Sequence, residues 1–165
     1  MEIPAAVSGI IHGVNRKTMP EPLIKVVKAH RRIELPEYES EGAAGIDLRA
    51  FLDSDVVIPP LGRAKIPTGL RFEIPAGFEA QVRPRSGLAI KFGITVLNSP
   101  GTIDSDYRGE VEVILVNLSE KDVTVKDGER IAQLVTAPVC RSRLVQTDTL
   151  AGTIRGGGGF GSTGV

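Results

Sequence analysis

Tryptophan is absent from the 165 residues, and cysteine occurs once, at Cys140. A single thiol excludes an intramolecular disulfide framework and a multi-cysteine zinc site. It suits a reducing compartment, where Cys140 reads as a small hydrophobe. The only histidines, His12 and His30, stand in no triad or metal-ligand spacing, which argues against covalent catalysis. Formal net charge is zero, with no long block of either sign. A general nucleic-acid surface ordinarily needs a basic excess, so that class is set aside. The opening stretch Met1–Gly13 has no basic leader and is broken by Ser8, Gly9 and His12, so neither a signal peptide nor a membrane span is expected. The expectation is a soluble, cytoplasmic protein. There is also no internal repeat, heptad, Walker motif or GxGxxG fingerprint, which disfavours the conventional nucleotide folds.

What is abundant is turn chemistry. Nineteen glycines and eleven prolines punctuate aliphatic runs, a pattern that favours many short strands over a helical bundle. The length fits one domain with a substantial core. Met19 precedes Pro20-Glu21-Pro22 and the first convincing strand, so residues 1–22 read as an N-terminal extension, 23–150 as the folded domain and 151–165 as a glycine-rich arm. Strands are expected at Leu23–Ala29, Gly45–Ala50, Val56–Pro59, Ala64–Ile74, Phe78–Arg83, Ile94–Leu97, Glu110–Leu118, Val123–Val125, Arg130–Ala137 and Arg143–Thr147. Asp127-Gly128 predicts a tight hairpin between the eighth and ninth of these. Within Glu110–Leu118, Val111, Val113 and Leu115 alternate with Glu112, Ile114 and Val116. That strand should begin with one wet face and end buried on both. Only Ser86–Phe92 reads as helix.

Five segments carry chemistry. Ala44–Ala50 sets Asp47 in an otherwise apolar strand, where it requires an arginine, a backbone donor or a hydrated metal; a structural salt bridge and a metal role both answer that need. Pro84–Ala89 gathers Arg85, Ser86 and Gly87 at a strand-to-helix junction suited to an oxyanion, although a structural arginine with an N-cap serine fits as well. Asn98–Glu110 joins turn residues to Asp104, Tyr107 and an asparagine. Such a loop can read a base edge, pack on a sugar and activate a water, or simply cap its own turns. Gly128–Leu134 places Gln133 among apolar residues, to meet a phosphate oxygen or a neighbouring strand. The tail Arg155–Val165 has no core-forming capacity, yet it carries an arginine, Phe160 and two hydroxyls on a glycine backbone able to wrap an anion.

In order, AGIDLRA (44–50), PRSGLA (84–89), GTIDSDYRGE (101–110), GERIAQL (128–134) and RGGGGFGSTG (155–164) resemble the five motifs of the trimeric dUTPase family, over roughly residues 23–164. Each motif is weak alone, but five in family order with compatible spacing are highly specific. The resemblance implies an all-β, jelly-roll-like barrel with one short helix. It also implies a homotrimer with sites shared between subunits, and hydrolysis of dUTP to dUMP and pyrophosphate with Mg²⁺. It assigns Asp104 to the attacking water, Tyr107 to the deoxyribose and Asn98 to uracil, within a hairpin opening Gly101-Thr102-Ile103. Arg85, Ser86, Gly87 and Gln133 are assigned to phosphates, and Asp47 to the metal's water shell. Arg155 is assigned to the γ-phosphate, Phe160 to the face of the uracil, and Gly161, Ser162 and Thr163 to closure of the arm. Ile46 stands where the family often has an aromatic residue, and Thr102 where a larger apolar one is more usual. A deaminase relative, using a carboxylate such as Glu110 on cytosine, and a non-catalytic nucleotide sensor are the alternatives.

Overall fold

The computed structural model describes residues 21–159, so the N-terminal segment 1–20 and Phe160, Gly161, Ser162 and Thr163 lie outside the described residues. Ten strands form: β1 Lys25–Lys28, β2 Ile46–Arg49, β3 Val56–Ile58, β4 Arg63–Glu73, β5 Phe78–Arg83, β6 Ile94–Val96, β7 Gly101–Ile103, β8 Glu110–Asn117, β9 Val123–Val125 and β10 Arg130–Pro138. The one helix, α1, is Ser86–Phe92. One four-stranded sheet runs β1-β4-β8-β6, the other runs β2-β10-β5-β7, and β3 pairs with β9. Every pairing is antiparallel.

The core follows from strand alternation. Leu48 of β2, Ile66 of β4, Val113 and Leu115 of β8, and Ala132 and Leu134 of β10 send their side chains into one cluster between the sheets. Each fully buried Leu, Ile or Val contributes roughly 1.5–3 kcal/mol by leaving water. β8 shows the expected change of character. Val111, Val113 and Leu115 are buried while Glu112 and Ile114 remain partly accessible, and Val116 and Asn117 then close the second face.

β4 breaks register in a way that matters to the site. Pro67 faces Glu112 and Arg71 faces Glu110, so β4 carries two more residues than β8 over this interval. The bulge turns at Gly69, whose φ of 66° lies in the left-handed region open to glycine. The buried Thr68 hydroxyl donates to the Val111 carbonyl at 2.6 Å, and the Gly69 N–H donates to a Glu110 carboxylate oxygen at 2.7 Å.

Four expectations are corrected. Asp127-Gly128 makes a turn but not a hairpin, because β9 pairs with β3 and β10 with β2 and β5. Only Gly128 takes a positive φ there, and Asp127 is drawn to Leu52 N–H at 2.8 Å and Arg32 at 3.2 Å, which ties the turn to another loop. Arg143–Thr147 forms no strand: Leu144 and Val145 are exposed and meet no pairing edge in the described chain. Strand propensity without a partner does not make a strand. Cys140 is exposed, not a core residue. Finally, Gly101–Ile103, expected within a tight hairpin and not among the strands, pairs with β5 as β7.

Candidate active site

Four of the five motifs lie on one sheet. β2 carries the first and β10 the fourth; the second follows β5, and the third begins on β7. Register aligns them: Gln133 faces Asp47 on one side and Arg83 on the other, and Val82 faces Gly101. Segments distant in the chain thus meet along one line across the sheet.

Asp47 is 7% exposed, and its carboxylate is held from two directions. Arg85 Nε donates at 3.0 Å to one oxygen, and Arg130 Nη1 lies 3.4 Å from the other. Arg85 also donates from Nη1 to the Arg130 carbonyl at 3.2 Å. Among the described residues its Nη2 end takes no protein partner, which leaves donors of the guanidinium fork open to a ligand. Arg85 is the N-cap of α1 in extended conformation. No side chain caps the helix, so Ser86 is its first residue rather than its cap. Ser86 and Gly87 are exposed, and Gln133 is half-buried.

The third motif builds a cavity of about 240 Å³ between β7 and β8, lined by Asn98, Gly101, Thr102, Ile103, Asp104 and Tyr107. That volume is below the ~300–1,000 Å³ of sites enclosing a drug-sized ligand, so it suits a portion of a larger substrate. Asp104 to Tyr107 is one turn, closed by Tyr107 N–H donating to the Asp104 carbonyl at 3.1 Å. Arg108 Nη1 staples the turn by donating to the carbonyls of Ser105 at 2.7 Å and Tyr107 at 2.9 Å. The Tyr107 ring folds back over Gly109, where an added Cβ would collide with its phenol, and its hydroxyl donates to the Glu110 carbonyl at 2.9 Å. At Gly101 an added Cβ would stand 3.0 Å from Asn98 Nδ2, so glycine lets the asparagine lie close against the strand.

Lys65, Glu110 and Glu112 also line this cavity, and Lys65 and Glu112 did not stand out in the sequence because their strands carry no motif signal there. The Lys65 ammonium lies 2.7 Å from the Glu112 carboxylate. That hydrogen bond, then the carboxylate's charge, holds the lysine above its ordinary pKa. A larger cleft of about 990 Å³ runs between residues 32–39 and Asp47, Arg49 and Phe51, and it shares no lining residue with the hairpin cavity.

The described part of the arm, 151–159, is held by bonds within itself. Arg155 Nε donates to Gly158 O at 2.8 Å, within its own turn. The hairpin and the Asp47–Arg85–Gln133 row thus belong to one sheet, while Arg155 bonds within the arm. Among the described residues, no three histidine, cysteine or carboxylate side chains gather as a metal site. None of the described helices is long and apolar enough to cross a membrane.

A family model described as dUTPase matches residues 31–164. A deoxyuridine 5'-triphosphate nucleotidohydrolase of Rhizobium etli (strain CIAT 652) is 57% identical over 157 residues, which is 94% of this chain and 99% of the relative. Another, from Anaeromyxobacter sp. (strain Fw109-5), is 56% identical over 86% of this chain and 97% of its own length. Among solved structures, the dUTPase of Staphylococcus bacteriophage 80alpha with dUPNHPP superposes with a TM-score of 0.75 at 26% identity, covering 87% of this chain and 99% of that one.

Proposed function

The chain belongs to the dUTPase family, hydrolases acting on dUTP, and on that premise we propose that it cleaves dUTP to dUMP and pyrophosphate by attack of an Asp104-activated water on the α-phosphorus. The observation that carries this reading is the single turn that places Asp104 and Tyr107 in one cavity wall with Asn98. Asn98 and the hairpin backbone read the uracil edge. A hydrogen-bonding pocket rejects a mismatched base more strongly than a lost apolar contact would. Tyr107 packs on the sugar where a 2′-hydroxyl would sit. Asp104 accepts the water's proton as the new phosphorus–oxygen bond forms, and the bond to the bridging oxygen breaks to release pyrophosphate.

The phosphates fall to Arg85, Ser86, Gly87 and Gln133. The open Nη2 end of Arg85 supports that assignment, since Asp47 and the Arg130 carbonyl fix the guanidinium from behind. The reading includes a homotrimer with sites shared between subunits, with Arg155, Phe160, Gly161, Ser162 and Thr163 closing over the nucleotide. Closure excludes bulk water and strengthens the local electrostatics. Mg²⁺ fits as an ion held by phosphate oxygens and water, given its reluctance to dehydrate. When bound, it supplies charge neutralisation on the triphosphate. The role follows from the reaction: dUTP is kept from DNA synthesis and dUMP is made available.

A deaminase would need the Glu110 carboxylate beside cytosine. That carboxylate instead accepts the Gly69 N–H. The test is product analysis with Mg²⁺ and each of dUTP, dCTP, dTTP and UTP, with Asp104→Asn alongside. Selective formation of dUMP and pyrophosphate is expected, reduced about 10²–10⁴-fold by the substitution. Ammonia from dCTP would move the protein to the deaminases, and binding without products would leave a sensor.

A further inference from the structure

We infer that Glu110 is a positioning residue for sugar selection, acting on Tyr107 through the bulge of β4. The inference rests on the proposed role of Tyr107 against deoxyribose. The Tyr107 hydroxyl donates to the main-chain carbonyl of Glu110 at 2.9 Å, and the ring is otherwise half exposed. Its orientation therefore depends on where that carbonyl sits. The side chain of the same residue accepts the Gly69 N–H at 2.7 Å, so Glu110 is gripped from the opposite strand as it receives the tyrosine. Next along β8, the Thr68 hydroxyl holds the Val111 carbonyl at 2.6 Å. The two bonds fill the bulge and fix the point where the hairpin enters the sheet.

A replacement at Gly69 would strain the backbone that makes this grip. Its φ is 66°, and an added Cβ would collide with Ile33 Cδ1 and stand 3.1 Å from Phe51 Cδ1. Gly109 is constrained by contact alone, since a Cβ there would collide with the Tyr107 phenol. The phenol thus has a floor at Gly109 and a tether at Glu110. Glu110 acts here through its bonds to Gly69 and Tyr107, so its effect is on discrimination between deoxyribose and ribose.

The experiment measures kcat and KM for dUTP and UTP with purified wild type, Tyr107→Ala, Tyr107→Phe, Glu110→Ala, Glu110→Gln and the Tyr107→Phe/Glu110→Ala double variant. Glu110→Ala is expected to lower the dUTP-to-UTP ratio of kcat/KM about fivefold, the equivalent of one net hydrogen bond, mainly through the dUTP KM. Glu110→Gln should recover most of the ratio, because its amide oxygen still accepts from Gly69. Tyr107→Phe should shift the ratio in the same direction and add little to Glu110→Ala, as expected of two ends of one tether. Equal losses for both nucleotides without rescue by glutamine would make Glu110 merely structural and overturn the inference. So would independent, multiplying effects of the two substitutions. If Glu110→Ala does not fold, Tyr107→Phe and Glu110→Gln still decide: an unchanged ratio in Tyr107→Phe overturns the tether. If Tyr107→Ala itself leaves the ratio unchanged, the sugar assignment falls too; if Tyr107→Ala lowers it while Glu110→Ala and Tyr107→Phe do not, only the inference fails.

Discussion

Asp47→Asn separates two physical roles that the same carboxylate can play. The side chain is 7% exposed and accepts from Arg85 Nε at 3.0 Å, with Arg130 Nη1 3.4 Å from its other oxygen. Asparagine keeps the shape and one acceptor oxygen but removes the charge that balances Arg85. A hydrogen bond to a charged group contributes ~1.5–3 kcal/mol net. The Arg85 side chain is 24% exposed, so that contribution is only modestly screened, whereas Arg130 at 41% adds little. The expected loss is about 2 kcal/mol, or about 4–8 °C in Tm for a chain of this length. Melts should be recorded without Mg²⁺ at one fixed protein concentration, since association with other copies shifts Tm. Mg²⁺ titrations of dUTP hydrolysis then follow. If Asp47 anchors Arg85, Tm falls without metal and the dUTP KM rises while half-saturating Mg²⁺ stays put. An unchanged Tm with a shifted Mg²⁺ requirement would refute the anchor and support a place in the metal's water shell.

Two further outcomes are expected. Ending the chain at Ile154 removes Arg155, whose side chain bonds only to Gly158 among the described residues. Barrel melting should therefore hold while dUTP turnover falls roughly ten- to hundredfold, the value of a charge-assisted phosphate contact; full activity would take the arm out of the mechanism. Lys65 should titrate above an ordinary lysine because of Glu112. Its pairing stabilises the fold below the ordinary lysine pKa, and the effect disappears as pH rises through the raised one. In Glu112→Gln, an NMR titration should find Lys65 back near the usual value, and no movement would contradict the assigned cause.

How far the sequence could be read depended on whether a feature was local. Alternation along β8 was legible because burial period is written in neighbouring residues. The Asp127-Gly128 turn was legible too, but its partner strands were not. Lys126–Glu129 closes as a turn in either topology, and the pull of Arg32 and Leu52 on Asp127 is set by residues some 75 to 95 positions away. The motifs could be identified by resemblance to a family, whereas the Asp47–Arg85 pair, 38 positions apart, needed the register of β2, β10 and β5. Lys65 and Gly69 carried no signal because their importance comes from the strand opposite. Leu144 and Val145 show the converse: a strand-like pattern that finds no edge among the described residues.

The buried polar side chains explain why the third motif holds its shape although its functional groups are exposed. Among the described residues they are Asp47, Thr68 and Asn117. Burying such groups is unfavourable unless their hydrogen bonds are made, so each marks a place where the fold enforces a geometry. Asn117 binds the carbonyls of Ile58 and Lys121 through its amide and accepts from Ser119, which secures loops carrying no motif. The other two stand directly behind motifs. Asp47 fixes Arg85 of the second, and Thr68 fixes the β8 entry of the third. Asp104 and Tyr107, by contrast, sit on the accessible side, where water and substrate reach them. Rigid support from buried partners lets exposed groups keep a set geometry, the condition a preorganised site must meet. On this division, losing Asn117 is a matter of stability alone, whereas losing Asp47 or Thr68 reaches the chemistry through the residues they hold.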